Sequence, residues 1–163
     1  MGSGKSTLGK KLATLLRLRF VDLDNCIEKK ENTRISSIFE TQGETVFRQK
    51  ETECLREVVA SEQPLVIALG GGTICFNDNL AYIKQHGLLV YLELPVEVLA
   101  GRVQNSKKER PLLKNLSGDD LLQAIREKLE QRQPFYTQAQ LTVTGTNITP
   151  QILQQAILEA KKT

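Results

Sequence analysis

The chain has 163 residues, 22 of them Lys or Arg and 19 Asp or Glu, for a formal net charge of +3. With 40% apolar and 25% charged residues, residues 1–163 read as one soluble globular domain, large enough to bury a core. A charge so near zero gives no reason to expect nucleic acid as a partner, and no apolar run approaches the ~20 residues of a membrane span.

Residues 5–16 place Leu8, Leu12, Leu15 and Leu16 on one helical stripe, an amphipathic helix that opens at a cluster of glycines. Phe20, Val21 and Asp22 form a short strand ending in acids. Ser36 or Ser37 caps a short helix carrying Ile38 and Phe39, and a longer helix over residues 44–60 follows Gly43. Residues 64–69 are a continuous apolar run, as a strand buried on both faces reads. A helix over 77–86 stops at Gly87. Residues 88–92 form another buried strand, and Pro95 opens a helix with Val96, Leu99 and Val103. A polar, basic loop covers 104–117, a helix 119–131 and a strand 140–143. Thr149 and Pro150 start the last helix. Strands alternating with helices predict an α/β fold, a parallel β-sheet with helices on both faces. Ligands of such sheets bind at the carboxyl ends of the strands, where the Gly and Asp clusters fall.

Cys26, Cys54 and Cys75 are odd in number and far apart, which fits reduced structural thiols better than disulfides or a zinc site. The opening MGSGKSTLGKK has no apolar core of a secretion signal, so a cytoplasmic location is expected. No exposed apolar stripe is evident, and a monomer is expected.

Gly2, Ser3, Gly4, Lys5, Ser6 and Thr7 match the second half of G-x-x-x-x-G-K-[ST]. Glycines let backbone N–H groups turn toward phosphate oxygens, and the helix behind them presents its positive end. Lys5 would reach the β- and γ-phosphates, and the Ser6 hydroxyl would ligate Mg²⁺. The motif's first glycine would stand two positions before Met1, and no strand precedes the loop. A start assigned too late, or a trimmed chain, is therefore expected, with Met1 an internal loop position. Loss of an interior strand would leave N–H and C=O groups unpaired at ~1–3 kcal/mol each if buried.

Asp22 and Asp24 read as solvated acids, with Asp24 capping a helix near Asn25, or as a metal-holding acid and an acid that orients an acceptor hydroxyl. The phosphate loop favours the second reading. Gly70-Gly71-Gly72 follows a buried strand, and so costly a run implies a close approach to the backbone by a ligand or a neighbouring helix. Arg48 and Arg132 read as solvated residues; the pattern alone assigns them no role. Arg102, Lys107, Lys108, Arg110 and Lys114 concentrate positive charge, with only Glu109 opposing, where a lid would close. An arginine there would neutralise charge on the transferring phosphoryl. His86 caps a helix end.

Taken together, GSGKST, VDLD, IFETQGETVFRQKE, ALGGGTI, ERPLL and QRQPFYTQA resemble the shikimate kinase family over essentially the whole chain. The resemblance implies a P-loop, nucleoside-monophosphate-kinase-like fold with a five-stranded parallel sheet. A substrate-binding subdomain over 25–61 and a lid over 103–117 come with it. It also implies transfer of the γ-phosphate of ATP to the 3-hydroxyl of shikimate, with Mg²⁺, in aromatic amino-acid synthesis. By the same resemblance Lys5 contacts phosphates, Ser6 binds Mg²⁺ and Asp22 contributes through water. Asp24 holds the shikimate hydroxyls and acts as the base. Arg48 and Arg132 clamp the carboxylate and Glu51 holds Arg48. Gly70, Gly71 and Gly72 line the substrate pocket, and Phe39 and Phe47 form its apolar wall. Arg110 is the lid arginine, and Arg102 and Pro150 resemble the pair that sandwiches adenine.

The alternatives are a gluconate-type or nucleoside-monophosphate kinase, against which the arginines in FRQKE and QRQPFY argue, and an inactive remnant that at most binds ligand.

Overall fold

The computed structural model describes residues 2–61, 63–106 and 116–162. Gly4 has φ 82°, a left-handed conformation that a Cβ disfavours, and this turn lets the chain swing directly into α1 (Lys5–Leu16). The chain continues through β1 (Arg19–Asp22), α2 (Leu23–Glu31), α3 (Ile35–Val59) and β2 (Leu65–Ala68). A 3₁₀ turn (Thr73–Cys75) then leads into α4 (Asn79–His86), β3 (Val90–Glu93) and α5 (Val96–Gln104). The described chain closes with α6 (Gly118–Tyr136), β4 (Leu141–Thr144) and α7 (Pro150–Ala160).

Alternation along the strands explains why they read as unbroken apolar runs. Val66 of β2 packs toward α1, while Ile67 joins the core under α2 and α3. Val90 and Leu92 of β3 meet α1 and α7, and Tyr91 meets α6 and the 3₁₀ turn. Both faces are covered, and all described strand pairs are parallel.

The resemblance implied one five-stranded sheet, but the described strands form two parallel pairs, β1–β2 and β3–β4. The pairs are joined through helices rather than a ladder. Leu8, Leu12 and Leu16 of α1 pack against Val66 of one pair and Val90 and Leu92 of the other.

Two local expectations change, the cap of α2 and the end of α6. Asp22, not Asp24, caps α2: its Oδ1 accepts from the Asn25 N–H at 3.2 Å, leaving Asp24 in the first turn. The two helices expected on either side of Gly43 are present, separated by a break at Gly43 itself (φ 82°, ψ 171°), and share the label α3. The helix expected to stop at residue 131 continues to Tyr136 through Pro134. Near a helix end Pro forfeits little more than one hydrogen bond. The last turn is held by Tyr136, which is buried and donates to the Gly71 carbonyl at 2.5 Å. Thr149 and Pro150 start α7 as expected, with the Thr149 hydroxyl accepting from the Ile152 N–H at 3.2 Å.

Candidate active site

A cleft of about 670 Å³ opens at the carboxyl ends of β1 and β2. It is lined by the phosphate-loop residues Gly2, Ser3, Gly4, Lys5, Ser6 and Thr7, and by Asp22, Asp24, Phe39, Phe47, Arg48 and Glu51. Gly70, Gly71, Gly72, Arg102 and Arg132 complete the set brought together from the sequence. Pro150 sits in the first turn of α7 and is not among the lining residues. Arg110, with most of the basic loop, lies outside the described residues.

At one end, α1 begins at the cleft with no side-chain cap and no acid within its own first turn, so its N-terminal N–H groups keep their capacity for an anion. Lys5 Nζ donates to Ser3 Oγ at 3.4 Å, holding the lysine over the loop. Arg102, from α5, donates to the carbonyls of Ser3 (3.3 Å) and Thr146 (3.0 Å), tying the phosphate loop to the turn before α7. The Ser6 hydroxyl donates to Asp22 Oδ2. These two oxygens, one from α1 and one from the end of β1, form a hard-donor pair of the kind Mg²⁺ accepts.

At the other end, the glycine triplet lets charged groups press on the backbone. A Cβ on Gly72 would lie 2.7 Å from Arg48 Nη2, and one on Gly70 would lie 2.8 Å from Glu51 Oε1 and 3.4 Å from Asp24 Oδ1. Gly70 and Gly72 leave room there for three charged side chains to converge on that turn.

Arg48 is buried on α3. Its Nη1 donates to Glu51 Oε2 at 2.7 Å, and the second Glu51 oxygen accepts from the Thr73 hydroxyl at 2.6 Å. The guanidinium carbon lies 5.0 Å from the Phe47 ring centre and 4.3 Å from that of Phe76. Phe39 packs on Phe47 at 4.7 Å, giving the cleft an apolar wall. Burial raises the Glu51 pKa above its usual value; Arg48 and Thr73 oppose the rise and the charge of Asp24 adds to it. Arg132 reaches the same cleft from α6, one helical turn before Tyr136.

The sequence reading missed three contributors. Thr73 satisfies Glu51, Tyr136 fixes the Gly71 carbonyl beside Arg132, and Glu44 pairs with Arg48. Only Glu44 left a trace, its i,i+4 spacing from Arg48. Thr73 and Tyr136 act across 22 and 65 residues of chain, which no local pattern reveals.

A family model described as shikimate kinase matches residues 1–161. The chain belongs to the shikimate kinase family. A shikimate kinase from Parabacteroides distasonis is 46% identical over 142 residues, covering 87% of this chain and 82% of that protein. A structure of shikimate kinase from Acinetobacter baumannii, determined in complex with shikimate, superposes with a TM-score of 0.88 at 39% identity. That match covers 99% of this chain and 88% of the other. A gluconokinase from Sinorhizobium meliloti reaches a TM-score of 0.62 at 19% identity over 99% of this chain and 87% of its own, a likeness of fold alone. Membership makes the chain an enzyme, a P-loop kinase that uses ATP, and the activity that goes with the family is phosphorylation of shikimate. Among the described residues no helix is long and apolar enough to cross a membrane.

Proposed function

We propose that this cleft transfers the γ-phosphoryl of ATP to the 3-hydroxyl of shikimate, with donor and acceptor held at its two ends. The observation that carries this reading is the convergence of the phosphate loop, Asp24 after β1, and Arg48 and Arg132 in one cleft. The N–H groups of Gly2 to Thr7 and Lys5 hold the β- and γ-phosphates. Ser6, with Asp22 behind it, would hold Mg²⁺, which neutralises charge on the transferring group. Asp24 orients the acceptor hydroxyl and takes its proton as the bond to phosphorus forms. Arg48 and Arg132 take the carboxylate of shikimate; a guanidinium fork suits that planar anion. Phe39 and Phe47 receive the ring.

Residues 25–61, which carry Phe39, Phe47, Arg48 and Glu51, act as the substrate-binding subdomain. Residues 103–117 act as the lid that excludes water, with Arg110 delivering positive charge to the γ-phosphoryl; the resemblance supports that assignment. Arg102 and Pro150 border the adenine, and the link from Arg102 to the turn before α7 supports the pairing. We further read the chain as a cytoplasmic monomer, a setting that the free thiols Cys26, Cys54 and Cys75 suit.

Steady-state kinetics of Arg132→Ala test the assignment of the acceptor end. KM for shikimate is expected to rise about 10- to 100-fold, the worth of hydrogen bonds to a charged group, with KM for ATP little changed. Equal rises in both would refute the separation of the two ends.

A further inference from the structure

The polar contacts of Arg48 are of two kinds. Nη1 is committed to Glu51, whose side chain is 1% exposed and whose second oxygen is held by Thr73. The opposite edge, Nε and Nη2, donates to a single oxygen, Oε1 of Glu44, at 3.2 and 2.9 Å. Glu44 is a different sort of partner, because its side chain is 42% exposed against 8% for Arg48. Two donors sharing one oxygen is also a poorer match than the fork in which each donor meets its own oxygen.

That edge is the one a substrate would need. Nη2 lies against Gly72, part of the cleft lining, and the guanidinium contacts the rings of Phe47 and Phe76. Glu44 stands just past the break at Gly43, so its side chain swings away without unwinding buried helix.

We propose that Glu44 is a carboxylate placeholder: it occupies the cleft-facing edge of Arg48 when the site is empty and yields that edge to the carboxylate of shikimate. The proposal rests on the reading of Arg48 as part of the substrate clamp. Exchange of one carboxylate for another keeps a buried guanidinium paired on both edges throughout the catalytic cycle. It also sets affinity, because the substrate gains only the difference between its own fork and the contact it replaces. A ligand without a charged carboxylate cannot make the exchange and leaves Glu44 in place on Arg48.

Calorimetric titration of the chain with shikimate, without ATP, tests this. Glu44→Gln removes the competing charge and is expected to tighten binding about threefold, the scale of a partly exposed ion pair. Glu44→Asp keeps the charge but draws its oxygens back by one methylene, and is also expected to tighten binding. The methyl ester of shikimate should bind the parent chain and the Gln variant alike. Unchanged or weaker shikimate binding in both variants, with Arg48→Lys still weakening it, overturns the placeholder while leaving the clamp in place. Unchanged shikimate binding in Arg48→Lys instead overturns the clamp, and the placeholder with it.

Discussion

Replacing Asp24 by Asn is expected to lower kcat about 10²- to 10⁴-fold while ATP still binds, the range typical of losing a positioned general base. The carboxylate stands in the first turn of α2 at the end of β1, against the backbone of Gly70 and on the wall it shares with Glu51. Asn keeps the shape and a hydrogen-bonding oxygen but cannot accept the proton of the shikimate hydroxyl. Folding should survive, because the cap of α2 is Asp22, whose Oδ1 still meets the Asn25 N–H. Turnover with shikimate and nucleotide affinity, measured side by side, decide the matter. An unchanged kcat would refute the role of Asp24 as base.

Glu51→Ala should cost stability as well as substrate affinity. Glu51 is fully buried, and its two oxygens are taken by Arg48 and Thr73. Removing one partner of a buried ion pair typically costs about 3–5 kcal/mol, since the other charge remains in a poorly solvated place. Arg48 would keep only its exposed contact to Glu44, and the Thr73 hydroxyl would lose its acceptor.

The same group gives stability a pH signature. Burial holds the Glu51 carboxyl above its ordinary value, so the folded state binds that proton more tightly than the unfolded chain. Its contribution is full below the ordinary glutamate value and is lost as pH rises through the raised one. Urea titrations across that interval should show Glu51→Gln without this decline. A Glu51→Ala chain as stable as the parent would show that Arg48 does not depend on Glu51.

Much of the site is written locally. The phosphate loop opens an amphipathic helix, the acids and the glycine triplet each follow a strand whose apolar run is visible in the sequence, and all three meet in one cleft. What stays hidden depends on contacts distant in sequence. Arg132 resembles a solvated arginine before a proline, because Pro134 suggests that the helix has ended. Tyr136, bonded to the Gly71 carbonyl, carries the helix past it. Arg48 looks like any helical arginine until Thr73 and Phe76 are beside it. The choice between Asp22 and Asp24 as cap is equally invisible, since both acids lie where the same helix begins and only backbone geometry separates them. Sheet closure is not local either. Each strand reads as buried, yet β2 and β3 belong to separate pairs bridged by α1.

The most direct test is ADP release by the chain with ATP and Mg²⁺, coupled to a readout and run against shikimate, gluconate and a nucleoside monophosphate. ADP release that depends on shikimate, with phosphate appearing on the 3-hydroxyl, is the predicted result. Turnover with gluconate or the nucleotide and none with shikimate would contradict it.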